Sequence, residues 1–158
     1  MLVKRAMSKN VVSVSVPGNR EKVLDLMRKE DKAVLPVVKG DTKQLVGLIT
    51  RSDLIVNPDE EQIAILMSTD LVTASPDDDV KDVAKKMIDN NVRRVPVVDD
   101  NGDLVGIITS FDLVSNALIK LESDDPVENF MITTVPTTWY KTLSLIHISE
   151  PTRLDVIS

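Results

Sequence analysis

The chain has no cysteine among its 158 residues, which excludes disulfides, thiol catalysis and cysteine-ligated zinc. Histidine occurs once, as His147 near the end. Aromatic residues number four, so the core has to be built from Val, Ile, Leu and Met. There is no HExxH, no paired-carboxylate spacing and no Walker-type glycine-rich loop. No run approaches the roughly eighteen apolar residues of a membrane helix. The opening Met1–Ser8 has no apolar stretch of the signal-peptide kind. The expectation is a soluble cytoplasmic protein without membrane contact. Basic residues are outnumbered 19 to 25, for a net charge of −6, which speaks against general nucleic-acid binding.

What is present is a repeat. Gly47-Leu48-Ile49-Thr50-Arg51-Ser52-Asp53-Leu54 returns as Gly106-Ile107-Ile108-Thr109-Ser110-Phe111-Asp112-Leu113, 59 residues later. Leu35-Pro36-Val37-Val38 returns as Val95-Pro96-Val97-Val98 and Met7-Ser8 as Met67-Ser68, both 60 later. The one-residue slip falls between the Pro and the Gly, where a surface turn absorbs it. A period of this length marks duplicated supersecondary units, and one such unit is marginal alone. The expected division is residues 1–62 for the first unit and 63–124 for the second.

In the second unit, Leu71–Ala74 reads as a short strand closed by Ser75-Pro76. Asp77 or Asp78 is expected to cap the helix that follows. Val80, Val83, Ala84, Met87 and Ile88 form its apolar stripe, and Asn90-Asn91 ends it. Arg94–Val98 and Leu104–Thr109 flank the Asn101-Gly102 turn of a hairpin, and Ser110 opens a helix through Leu121. The first unit repeats the order: strand Val11–Val16, turn and cap at Pro17-Gly18-Asn19, then a helix. A hairpin around Gly40-Asp41 and a helix cut short by Asn57-Pro58 follow. The fold class is α/β of the α+β type, tandem β-α-β-β-α units packed as a pseudo-twofold pair. Pro36 and Pro96 lie inside strand runs, which fits an edge, a bulge or a bend at a cleft.

Two such units, each with an h-P-V-V strand and a G-h-I-T-x-x-D-L hairpin exit, resemble the CBS-domain family. The tandem is similar to a Bateman module over roughly residues 5–122. The resemblance implies two clefts between the units and a regulatory role. The ligands would contain adenosine: AMP, ADP, ATP or S-adenosylmethionine, taken as a regulatory ligand with no catalytic cofactor, no metal and no catalysis. It also implies a homodimer of two modules side by side. Thr50 with Asp53, and Thr109 with Ser110 and Asp112, lie where a strand runs into a helix. There free amides and the helix dipole favour an anion, and a carboxylate can accept from two ribose hydroxyls. Thr-x-x-Asp is equally close to a capping box, and capping and binding are compatible. Arg93 and Arg94 fall two or three positions before Pro96, where the family carries a phosphate contact. The alternative for them is ion pairing, for example with Asp89.

The first unit departs from this pattern, with Ala33 and Val34 at the equivalent places and Lys29 and Lys32 as its nearest bases. Arg93 and Arg94 can then serve a nucleotide held mainly by the first unit. For adenine, the candidates are Ser13, Val14, Ala33, Val34, Leu35 and Pro36 in one unit. Their counterparts are Thr73, Ala74, Val92, Val95 and Pro96 in the other. Each of these alone is as well explained by core packing. Three rivals stand beside the sensor: a dimerisation module without a nucleotide, a hydrolase using Asp53 or Asp112, and an RNA or DNA binder using the arginine pair.

Val127–Thr137 echoes Ile65–Thr73, so residues 125–143 read as the start of a third unit, or as an arm packed on the pair. Residues 144–158 break the pattern and read as translated cloning or adaptor sequence, or as a divergent tail.

Overall fold

The computed structural model describes residues 1–122, and the readings for 125–143 and 144–158 lie outside the described residues. The first unit carries β1 (Val14–Val16), α2 (Arg20–Lys29), β2 (Val34–Lys39), β3 (Leu45–Thr50) and α3 (Arg51–Val56). The second carries α5 (Val80–Asp89), β4 (Arg94–Val98), β5 (Leu104–Thr109) and α6 (Ser110–Glu122). A one-turn helix precedes each, α1 (Val3–Ala6) and α4 (Ile63–Leu66). This is a mixed α+β protein of two small sheets with helices packed on them.

In the first sheet β1 pairs parallel with β2, which pairs antiparallel with β3. The hairpin β4–β5 keeps the same register, Pro96 opposite Ile107 as Pro36 is opposite Leu48. Both hairpins have a bulge one residue after the proline, between Val37 and Val38 and between Val97 and Val98. β1 begins only opposite Val37, so Pro36 has no β1 partner beside it and its missing N–H costs no ladder bond on that side.

Three details depart from the sequence-based expectation. The strand expected at Val11–Val16 is paired only over Val14–Val16, because residues 11–13 belong to the connector between the units. The strand expected at Leu71–Ala74 is reduced to a single bridge, Ala74 to Val97. Pro76 stands where the first unit has Val16, and a residue without N–H cannot extend the pairing. The cap of α5 is Asp79, whose Oδ1 accepts from the Lys81 amide at 2.9 Å. Asp78 turns back instead, its Oδ2 accepting from the Ser75 amide at 2.9 Å.

The short helices are exchanged. Val3 is fully buried with Val83, Met87, Val95, Val97 and Ile108 in the core of the second unit. Ile63 is fully buried with Val23, Met27, Leu35, Val37, Ile49 and Leu54 in the core of the first. The chain after each helix then lies along the far edge of a sheet. Ser8 and Ile107 exchange N–H···O bonds of 2.9 and 3.0 Å, and Ser68 and Leu48 do so at 2.8 and 3.0 Å. Gly106 and Gly47 make room for this crossing. A Cβ on either would meet Met7 Sδ or Met67 Sδ at 2.5 or 2.6 Å. The hairpins also join directly, through Leu45 N–H to Gly102 O at 3.1 Å and Leu104 N–H to Lys43 O at 2.8 Å. The two cores are thus tied by reciprocal segments and form one body.

Candidate functional site

The exchange leaves an extended connector, residues 8–13, running between the units. A cavity of about 240 Å³ opens beside it. The connector contributes Ser8, Asn10, Val11 and Val12. The first unit contributes Lys32, Val34, Leu35 and Pro36, and the second contributes Arg94, Ile107, Thr109 and Asp112. Neither half-sequence contains the site.

Local structure fixes each polar group. α2 ends at Lys29, Asp31 takes a left-handed φ of 50°, and the Lys32 amide returns to the Met27 carbonyl at 2.9 Å. That helix-closing pattern holds the Lys32 backbone at the cleft rim. Arg94 opens β4 directly opposite Thr109, so pairing register puts the guanidinium-bearing residue beside the start of α6. The Ser110 amide donates to the Arg93 carbonyl at 2.9 Å and pins that corner.

Thr109 and Asp112 are reciprocally bonded. The Asp112 amide donates to Thr109 Oγ1 at 3.1 Å. Asp112 Oδ2 accepts from the Thr109 amide at 2.8 Å and from its hydroxyl at 2.9 Å. Among the described residues nothing donates to Asp112 Oδ1. Capping therefore uses one carboxylate oxygen and leaves the other for a further donor. Thr50 and Asp53 form the same box at the start of α3, with bonds of 2.9 and 3.1 Å.

Of the residues singled out by sequence, Val34, Leu35, Pro36, Arg94, Thr109 and Asp112 line this cavity together. Ser13 lines a different one of about 210 Å³, on the other side of the connector with Lys9, Thr42 and Lys43. Val14 pairs with Val37 in the sheet, and Ala33 is exposed with its carbonyl taken by the Arg51 amide. Arg93 and Ser110 are exposed and do not line the cavity. Thr50 and Asp53 belong to the corresponding corner of the other unit. Ala74 and Val95 are core residues of the second unit, Val92 packs against that core, and Pro96 is buried with its carbonyl bonded to Ala74. The Thr73 carbonyl accepts from Lys86 Nζ at 3.2 Å. Among the described residues neither arginine is in an ion pair, with Asp89 or any other acid.

Sequence reasoning missed Ser8, Asn10, Val11, Val12 and Ile107, and it noted Lys32 only as a nearby base. The repeat of Met7-Ser8 as Met67-Ser68 was the available signal that these lead-in segments have a fixed task.

This arrangement, two α+β units with exchanged lead-in segments and a cleft walled by both, is that of a CBS domain pair. The family model for the CBS domain matches residues 3–59 and again 61–119, and the chain belongs to that family. Its particular relatives include the solved CBS domain pair of protein MJ0100 in complex with 5′-methylthioadenosine and S-adenosyl-L-methionine. That pair is 32% identical with a TM-score of 0.67, covering 76% of this chain and 98% of that one. The uncharacterized protein MJ0188 of Methanocaldococcus jannaschii is 29% identical across 98% of this chain, which spans 56% of that protein. The inosine-5′-monophosphate dehydrogenase of Nitrosopumilus maritimus is 35% identical over 72% of this chain, which spans 24% of that enzyme. Uncharacterized protein MK0525 of Methanopyrus kandleri is likewise matched over only 43% of its length. The chain thus corresponds to a part of several longer proteins.

Proposed function

We propose that this CBS pair is a regulatory, non-catalytic module of the cytoplasm. It takes an adenosine-containing ligand, AMP, ADP, ATP or S-adenosylmethionine, in the cleft between its units. The observation that carries the reading is the meeting of Arg94, Thr109 and Asp112 of one unit with Val34, Leu35 and Pro36 of the other around one cavity. Apolar walls suit a purine face, the open Asp112 oxygen suits ribose hydroxyls, and the unpaired guanidinium suits a phosphate. The relative solved with two adenosine compounds supports the ligand class.

Signalling follows from the wall being shared. A ligand that touches both units favours the relative orientation that fits it, and the population shifts by the difference in affinity. A second copy is the proposed partner. Ile55 and Val56 on α3 and Phe111, Val114 and Leu118 on α6 are all more than half exposed, which leaves apolar helix faces for it to cover.

Thermal melting with saturating AMP, ATP, S-adenosylmethionine or 5′-methylthioadenosine tests the reading. At a hundredfold excess over Kd the ligand stabilises by about 2.7 kcal/mol, several degrees for a chain of this size. No shift with any of them would leave a structural module.

A further inference from the structure

We infer that the second cavity, of about 210 Å³ on the far side of the connector, is a site for a small phosphate-class anion, and that its occupancy tightens the hold of the first cleft on a nucleoside. The coupling rests on the proposed function; the anion site does not. Lys9 and Ser13 of the connector line this cavity with Thr42 and Lys43 of the β2–β3 turn and Leu104 at the start of β5. The lining holds two lysines and no carboxylate, since Asp41 and Asp103, the acids next to Thr42 and Leu104 in the chain, stay outside it. Among the described residues Lys9 and Lys43 make no ion pair and no side-chain hydrogen bond, unlike Lys4 and Lys86. The Thr42 hydroxyl is engaged, donating to the Lys39 carbonyl at 2.5 Å and accepting from the Gln44 amide at 3.2 Å. The donors left for a ligand are therefore cationic. Two ammonium groups around one small cavity repel until an anion neutralises them, and compact point charges of this kind suit phosphate oxygens.

The connector links this cavity to the first. Ser8, Asn10 and Val12 line the first cleft, Lys9 and Ser13 line the second cavity, and Val11 lines both. Alternate residues of one segment thus wall two sites. Ser8 is bonded to Ile107 and Val14 begins β1, but between them the described main-chain bonding is sparse. Over residues 9–12 it is one bond, from the Val11 amide to the Lys9 carbonyl at 3.1 Å. A segment held mainly at its ends is ordered by whichever ligand arrives first, and the second ligand then meets less of that cost.

The experiment is a titration of the isotope-labelled chain with inorganic pyrophosphate, followed by amide chemical shifts, with sodium chloride at matching ionic strength as the control. Saturable shifts are expected at Lys9, Ser13, Thr42 and Lys43. Lys43→Gln should weaken pyrophosphate by about tenfold, and Lys43→Arg, which keeps the charge, should stay within about threefold of the parent. Both variants keep the Lys43 carbonyl that accepts from the Leu104 amide, and an unchanged melting temperature verifies their fold. Saturating 5′-methylthioadenosine, which has no phosphate to compete, should tighten pyrophosphate by about fivefold or more, and pyrophosphate should tighten 5′-methylthioadenosine by the same factor. Shifts that follow ionic strength alone, or saturable shifts confined to Arg94 and residues 109–112, would overturn the anion site while sparing the proposed function. Binding indifferent to Lys43→Gln would do the same. Pyrophosphate affinity unchanged or weakened by bound 5′-methylthioadenosine would overturn the coupling. Failure of every adenosine compound to bind would overturn the proposed function and the coupling together, and the pyrophosphate titration would still decide the anion site.

Discussion

Asp112 performs two tasks with two oxygens. Oδ2 closes the first turn of α6 against Thr109, and among the described residues nothing donates to Oδ1. Asp112→Asn keeps an oxygen for the Thr109 amide and removes the charge. The expected outcome in titration calorimetry is a loss of AMP affinity of about tenfold or more, with a melting temperature changed by only a degree or two. Unchanged affinity would assign Asp112 to capping alone. Asp79 is purely structural by contrast. The Lys81 amide, aided by the N-terminal ammonium, holds its carboxyl below its ordinary value against a smaller opposing effect of burial. A carboxylate whose value is depressed on folding stabilises fully above the unfolded value and loses that contribution as pH falls through the folded one. Asp79→Ala should therefore cost about 1 kcal/mol at neutral pH. The gap from the parent should close once the pH lies well below 3.8, as followed by urea midpoints. A constant gap would contradict the capping assignment.

At the scale of elements, the sequence was most informative where periodicity and punctuation agree. The stripe from Val80 to Met87, the Asn101-Gly102 turn and the Thr-x-x-Asp helix starts all reappear in the structure. The first strand of the second unit did not, because Pro76 ends a pairing that Val16 sustains in the first. α1 and α4 were not legible at all. Four residues are too few for a helical period, and nothing local says which copy a lead-in segment packs on. The candidate site was legible in part for the same reason. The hairpin-borne Arg94, Thr109 and Asp112 follow from motif and register, whereas Ser8–Val12 enter only through the exchange. Ile63→Ala tests that exchange. It should destabilise by about 2–5 kcal/mol. Amide exchange should speed up first in α2, β2 and β3, although Ile63 follows them in the chain. Faster exchange confined to α5, β4 and β5 would place Ile63 in the wrong core.

At the scale of the whole molecule, two marginal units become one body by trading segments, and the seam created by the trade is where a ligand can report on both. Exposed apolar side chains on α3 and α6 are the surface proposed to meet a second copy. Phe111, 75% exposed, tests it. Phe111→Glu should halve the mass measured by light scattering and leave the helical content intact. A parent already monomeric at the same concentration would contradict the dimer. The central claim, that an adenosine ligand lodges in the cleft built from both units, is met most directly by amide chemical shifts of the isotope-labelled chain titrated with AMP. The account predicts saturable shifts in three separated stretches at once: residues 8–12, 32–36 and 107–112, with Arg94 moving alongside them. Shifts confined to one unit, or none at saturating AMP, would contradict it.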